Sequence, residues 1–396
     1  MAKNTDKRIS KRIGTYIPVE MGDKRYRTYV PKPLPPNPPI DMAPLSALLE
    51  KASTALGRLD GIGAILPDPQ LFLSMYVRKE ALLSSQIEGT QSSFSELLLL
   101  EANQLPGGQA DDAREVSCYV DAMMHGLQRL KDDDFPLSLR LMREMHKKLM
   151  DQTRGRNVTP GEFRRSQNWI GGSSPANAIF VPPPPDKMLA CLHAFETFLH
   201  AKSPMPLLIK IALIHAQFEI IHPFLDGNGR LGRLLITLML CRADVLRDPL
   251  LYLSLYFKTH RQAYYDHLQS VRERGDWENW IEFFLQGVEE VATEATDAAR
   301  HIMALFAADA GKIQKHIPPR LLGTVRRIHD HMQRYPLTSA SKLRDETRMS
   351  YTTAQRGLQG LERLGLVEET SGRKRQQIFA YTDYLKILSQ GAEPIS

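Results

Sequence analysis

Twelve consecutive residues, His222-Pro223-Phe224-Leu225-Asp226-Gly227-Asn228-Gly229-Arg230-Leu231-Gly232-Arg233, bring together the side-chain types that act on a polyphosphate. Pro223 disfavours the α conformation at His222, so the upstream helix should end there and present the imidazole to a loop. Gly227-Asn228-Gly229 tolerates positive φ at each position, and successive N–H groups in such a turn form an anion nest. A new helix is expected to begin beside it, adding free amides and the positive end of its dipole. Arg230 and Arg233, three apart, share one face of that first turn and supply fixed cationic charge. Asp226 offers a hard oxygen ligand of the kind Mg²⁺ takes alongside phosphates. His222 is the group able to accept a proton near neutral pH. Taken singly, an Asn-Gly turn, a histidine at a helix end and a pair of arginines each have an ordinary structural explanation. Packing alone does not require a base, an acid, a nest and two cations at one point.

A second feature lies far upstream. In Ser84-Ser85-Gln86-Ile87-Glu88-Gly89, Ser84 and Glu88 are four apart and so lie on one face of a helix that Gly89 should stop.

The twelve-residue stretch resembles the Fic motif, His-Pro-Phe-x-Asp/Glu-Gly-Asn-Gly-Arg-x-x-Arg, at every specified position, and the resemblance covers roughly residues 10–300. It implies a protein adenylyltransferase that uses ATP and Mg²⁺ to place AMP on a hydroxyl of a target protein or of itself. His222 would be the general base and Asp226 the Mg²⁺ ligand. Gly227, Asn228, Gly229, Arg230, Leu231, Gly232 and Arg233 would form the ATP-binding stretch. Variants of the family that use ATP as kinases depart from the motif at the first glycine and the last arginine, and this chain keeps both Gly227 and Arg233. The Ser84–Gly89 segment is similar to the family's inhibitory-helix motif, Ser/Thr-x-x-x-Glu-Gly/Asn. That likeness implies that Ser84 and Glu88 hold Arg233 and block the γ-phosphate, as in the subclass whose inhibitory helix precedes the core. One guanidinium cannot give its fork to a carboxylate and a phosphate together. Two other functions stay open: de-AMPylation, with Glu88 orienting a water, and a DNA-binding regulator whose Fic core senses a nucleotide.

The elements that must position these residues are mostly helical. Apolar periodicity predicts helices ending near Glu88 and covering 112–130, 137–151, 186–202, 206–221, 230–244, 260–273 and 277–310. Asp68-Pro69 reads as an N-cap followed by proline at the first helical position, and Ser93 with Glu96 as a capping box. Gln167–Val181, with Ile170, Gly171 and Gly172 before the turn and Ile179, Phe180 and Val181 after it, reads as a β-hairpin. By resemblance it is the flap that docks the target's backbone through strand addition. Tyr256, Tyr264 and Tyr265 precede a Gly275-Asp276-Trp277 stretch that also looks familial, and Tyr256 and Tyr264 are candidates to line an adenine pocket. Aromatic residues at helical spacing equally serve a core.

Residues 1–40 read as an extended, basic and proline-rich arm, with Pro31–Pro39 expected as a strap over the protein's own surface ahead of the alternative, a ligand for a partner module. Residues 41–130 are expected to hold a helical region with the inhibitory helix, 131–295 the Fic core and 296–317 a linker helix. Over 318–390, two short helices and two strands around a basic turn resemble a winged helix-turn-helix. Arg356 on the second helix and Arg373, Lys374 and Arg375 on the wing are candidate DNA contacts. Such domains also act as protein-docking or dimer modules, and a homodimer is a further candidate assembly. Residues 311–396 carry 15 Lys+Arg against 8 Asp+Glu, while the whole chain has a net charge of +6, so the excess positive charge sits in this segment and suits an anionic partner. The expected fold class is therefore mainly α: a Fic (Fido) helical core, a β-hairpin flap, an N-terminal helical inhibitory region and a C-terminal winged helix. No apolar run is long enough to span a bilayer, and three dispersed cysteines argue for a cytoplasmic protein with neither a disulfide framework nor a zinc site.

Overall fold

The computed structural model describes residues 10–21, 24–65, 69–101, 110–131, 135–151, 159–373 and 376–394. An N-terminal antiparallel hairpin, β1 (Thr15–Met21) and β2 (Lys24–Val30), precedes the helices. Then follow α1 (Ser46–Ile65), α2 (Pro69–Ile87), α3 (Phe94–Glu101), α4 (Ala110–Lys131) and α5 (Leu139–Leu149). Further along come α6 (Pro185–His200), α7 (Leu207–Ile221), α8 (Asn228–Arg242), α9 (Ser254–Thr259), α10 (Arg261–Arg274) and α11 (Trp277–His316).

Helices α7 and α8 form the centre. From Leu208 to Ile221 every residue of α7 but Lys210 is buried, which matches a sequence apolar on all sides. Gly232 in α8 lets the two helices approach, because a Cβ there would lie 2.4 Å from Glu219 Oε1 and 3.2 Å from Phe218 Cδ1. Around this pair pack α2, α4, α5, α10 and α11, and the long α11 also runs against α1. The capping box of α3 is reciprocal: Ser93 N–H donates to Glu96 Oε2 at 2.7 Å and Glu96 N–H to Ser93 Oγ at 3.2 Å. Asp68, the expected cap of α2, lies outside the described residues, and the helix starts at Pro69.

The N-terminal arm departs from a wholly extended reading. Residues 15–21 and 24–30 pair as antiparallel strands, which the basic composition hid. The arm is tied down: Arg12 donates to both carboxylate oxygens of Glu278, at 2.6 and 2.9 Å, and to the carbonyls of Pro38 and Pro39 at 2.7 Å. Gln217 Nε2 donates to the Lys32 carbonyl at 2.9 Å. Among the described residues no helix is long and apolar enough to cross a membrane.

Beyond α11 the chain forms α12 (Pro319–Arg334), β3 (Leu337–Thr338), α13 (Ala340–Thr347), α14 (Tyr351–Arg363), β4 (Glu368–Glu369), β5 (Phe379–Ala380) and α15 (Thr382–Ser389). The strands make one antiparallel sheet in the order β3-β5-β4. Ser339 and Ser350 cap α13 and α14 through their side chains. Residues 296–316 are the second half of the unbroken α11, and Asp309 there accepts a 2.7 Å bond from Tyr381 Oη, fixing this C-terminal unit to the helix.

Candidate active site

The loop between α7 and α8 carries the motif. His222 caps α7 in the left-handed conformation, φ 49°, as the following proline requires the helix to stop. Its Nδ1 lies 3.3 Å from the Glu219 carbonyl. A carbonyl accepts only, so Nδ1 carries the proton and Nε2 is the basic nitrogen. Burial, and then the positive charge of Arg164, push its pKa down to about 4, so the imidazole is neutral at physiological pH.

Three residues that spacing did not single out hold this loop in shape. Arg164, fully buried, donates to the His222 carbonyl at 2.9 Å, and its own N–H donates to the Pro223 carbonyl at 3.0 Å. Asn168 donates to the Phe224 carbonyl at 2.9 Å. His146 stacks on Phe224 with ring centres 3.8 Å apart. Its Nδ1 accepts the Gly161 N–H at 2.9 Å, which leaves Nε2–H to donate to the Asp226 carbonyl at 3.0 Å. Burial lowers its pKa to about 4, which keeps that neutral tautomer. A residue that works through backbone carbonyls leaves no spacing signature.

Gly227, φ 75°, is the N-cap of α8, and a Cβ there would meet Met150 Sδ at 2.8 Å. The first helical bond runs from Leu231 N–H to the Gly227 carbonyl. The amides of Asn228, Gly229 and Arg230 therefore precede the helical ladder and mark an anion site. The side chain of Asn228 has a different task from touching phosphate. Its Oδ1 accepts the Phe224 N–H and its Nδ2 donates to the Phe224 carbonyl, both at 2.9 Å, so it staples the loop closed. Leu231 is likewise buried in the core. Asp226 Oδ1 accepts the Gly227 N–H at 2.7 Å and lies 3.9 Å from Arg230 Nη2. Arg230 also faces Glu115 at 3.4 Å. Among the described residues no three His, Cys, Asp or Glu side chains gather as a metal cage. The Asp226 carboxylate beside these amides could hold Mg²⁺ shared with a nucleotide.

Arg233 is buried and fully engaged on one edge by α2. Its Nε donates to Ser84 Oγ at 2.8 Å, and its Nη2 donates to the Ser84 carbonyl at 2.9 Å and to Glu88 Oε1 at 2.7 Å. Burial alone would discourage its charge, but the Glu88 carboxylate outweighs this and raises its pKa. A Cβ on Gly229 would come within 2.2 Å of Glu88 Oε1. The carboxylate therefore rests on the first turn of α8, where a phosphate would bind. Glu219, also buried, lies beside Gly232 with Oε1 lacking a hydrogen-bond partner, and burial pushes its pKa up to about 7 against the field of Arg233.

The structure corrects two expectations. Tyr256 and Tyr264 do not present their faces to a pocket: they are 6% and 1% exposed. Tyr264 Oη is bound to His215 Nε2 at 2.9 Å, and Tyr256 packs on Phe283 and His260. The neighbouring Tyr265 is 37% exposed and feels the charges of Glu88 and Arg233. The expected hairpin flap is reduced to a single antiparallel bridge, Ile170 with Phe180, around positive-φ Gly171 and Gly172 and a short 3-10 turn at Pro175–Asn177. Ile179 is 70% exposed, whereas Phe180 and Val181 are buried, Phe180 under the guanidinium of Arg272 and Val181 receiving a bond from the Tyr29 N–H. In the C-terminal unit Arg356 and Arg373 are exposed, and Lys374 and Arg375 lie outside the described residues.

Helix end, anion nest and buried arginine together define a Fic fold. Residues 46–128 match the Fic/DOC family N-terminal region and residues 136–240 match the Fic/DOC family. The chain thus carries a Fic N-terminal region and a Fic domain. A curated relative, protein adenylyltransferase Fic of Aedes aegypti, is 30% identical over 231 residues, covering 56% of this chain and 43% of that protein. The chain spans less than half the length of the curated relatives it matches first. Among solved structures, a Fic family protein from Desulfovibrio desulfuricans G20 superposes with TM-score 0.57 at 18% identity, covering 87% of this chain and 97% of that one. Fic-1 from C. elegans gives TM-score 0.52 at 22% identity, covering 66% and 74% respectively. These two likenesses concern the fold.

Proposed function

We propose that this chain is a protein adenylyltransferase, held inactive by Glu88, that moves AMP from ATP to a serine, threonine or tyrosine hydroxyl. The observation that carries this is the carboxylate of Glu88 seated on the first turn of α8 and bonded to Arg233 at 2.7 Å, where the triphosphate would lie. When Glu88 withdraws, the amides of residues 228–230 receive phosphate oxygens and Arg230 and Arg233 balance their charge. Asp226, together with the phosphates, would hold Mg²⁺, which would supply further charge neutralisation. His222 Nε2 takes the proton of the target hydroxyl, whose oxygen bonds to the α-phosphorus. The α–β bridging bond breaks and pyrophosphate departs with the electron pair. The exposed Ile179 and the Ile170–Phe180 bridge offer an edge for the target's backbone. The similarity to proteins named adenylyltransferase supports the same reading.

The test is incubation of the Glu88→Gly protein with Mg²⁺ and ATP labelled in either the α- or the γ-phosphate. Label from the α-position alone, lost in Glu88→Gly/His222→Ala, supports AMP transfer. Label from the γ-position, or label indifferent to His222, contradicts it.

Glu88 at rest beside the cradle also supports de-AMPylation by a water it orients, and release of AMP from a modified target by wild type but not by Glu88→Gly would reveal that activity. The exposed Arg356 on α14, the second helix of a helix-turn-helix, supports contact with DNA by a winged helix. Three cysteines outside any disulfide fit a cytoplasmic setting.

A further inference from the structure

The C-terminal unit reaches back to α2, the helix that leads into Glu88. Its last helix, α15, packs on both α2 and α11. The chain after it lies against the end of α2 and against α9. Gln86, which stands between Ser84 and Glu88, donates from Nε2 to the Ala392 carbonyl at 3.0 Å and to the Ser92 carbonyl at 2.9 Å. Lys258 of α9 donates to the Gly391 carbonyl at 3.0 Å and also to the Glu393 carbonyl. Gly391 has φ +74°, and a Cβ there would come within 2.7 Å of Leu255 Cδ1, so a side chain at this position would be strained in its backbone and would have to displace Leu255. Ala392 is 2% exposed. On its other side the C-terminal unit is separated from α2 and α3 by an open cleft of about 620 Å³ between Met75, Arg78 and Leu98 and the facing Pro336, Lys342 and Arg373.

The last turn of a helix lacks the full set of helical hydrogen bonds and depends on contacts from outside the helix. Ser84 in the last turn of α2 and Glu88 directly after that turn hold Arg233. Whatever fixes that turn sets how often the phosphate site opens. We propose that residues 390–393 are a latch that holds the end of α2, and with it Glu88, on Arg233, so that displacement of the C-terminal unit opens the phosphate site. This regulation rests on the reading of Glu88 as the inhibitory carboxylate. Gln86 and Lys258 are positioning residues in it: they touch the latch and not the nucleotide site.

The experiment uses the full chain with Gly391→Val, which strains this backbone and must displace Leu255, and a chain ended after Ser389. Amide hydrogen exchange is followed over residues 80–90, and AMP incorporation by intact mass is measured beside Glu88→Gly. Loss of three hydrogen bonds and a buried alanine is expected to speed exchange over 80–90 by about tenfold or more, since about 1.4 kcal/mol corresponds to each factor of ten. Incorporation should rise toward the Glu88→Gly level, and neither change should add to Glu88→Gly itself. Unchanged exchange over 80–90 in both variants overturns the latch. Faster exchange with no label even in Glu88→Gly supports the latch and overturns the adenylyltransferase reading instead. Should either variant lose protection throughout residues 319–389, Lys258→Met, which keeps the segment and removes two of its bonds, gives the same comparison.

Discussion

Arg233 Nη2 donates to Glu88 Oε1 at 2.7 Å across 145 positions of sequence, and the same nitrogen bonds the Ser84 carbonyl at 2.9 Å. Arg233 is thereby committed to α2 rather than to a ligand. Because its position at the start of α8 also faces the amides that would cradle a phosphate, one side chain links the state of α2 to the state of the site. The consequences can be measured separately.

The pH dependence follows from His222. Its folded pKa, about 4, lies below the ordinary imidazole value, so the base stays unprotonated until the pH falls well under 6. Removing Glu88, whose charge raises this pKa, lowers it further. The acid limb of kcat/KM for Glu88→Gly should therefore appear below about pH 5. A limb at 6.5 or above would show that the imidazole is not desolvated as described.

Asn228 is expected to act through the loop rather than through phosphate. Asn228→Ala removes both bonds to Phe224 and should lower stability by about 2 kcal/mol and activity with it. Chemical denaturation checks the first, and residual labelling in the Glu88→Gly background checks the second. A variant of unchanged stability that merely binds ATP less well would place the amide on the nucleotide instead.

Glu219 and Gly232 form a size-matched pair. Gly232→Ala puts a methyl group 2.4 Å from Glu219 Oε1 and should cost about 1–3 kcal/mol. Adding Glu219→Ala should recover part of this loss, whereas Glu219→Gln, of equal size, should recover none. Equal recovery by both would mean that charge rather than space limits the site.

Much of this was legible in the sequence, for identifiable reasons. The helices from 110 to 316 announce themselves because α7 is apolar on every side and others repeat apolar residues at helical spacing. The cradle was legible because its residues are contiguous, with Pro223 and Gly227 dictating the backbone. The partner of Arg233 was legible only through the resemblance of Ser84–Gly89 to a known motif. Arg164, His146 and Asn168 were hidden, since each holds a backbone carbonyl and any donor of the right reach would look alike in sequence. The roles of Tyr256 and Tyr264 were not legible, because an aromatic at helical spacing reads the same whether it lines a pocket or packs, as here, on His215 and Phe283. The β1–β2 hairpin was masked by the basic composition of the first thirty residues. The seat of residues 391–393 on Gln86 and Lys258 depends on contacts that no local pattern encodes.

The competition for Arg233 is tested most directly by titrating wild type and Glu88→Gly with Mg²⁺-ATP and, separately, with AMP. Freeing the guanidinium should tighten ATP binding by about tenfold or more and leave AMP, which lacks the outer phosphates, nearly unchanged. Equal ATP affinity in the two proteins, or an equal gain for AMP, would contradict the account.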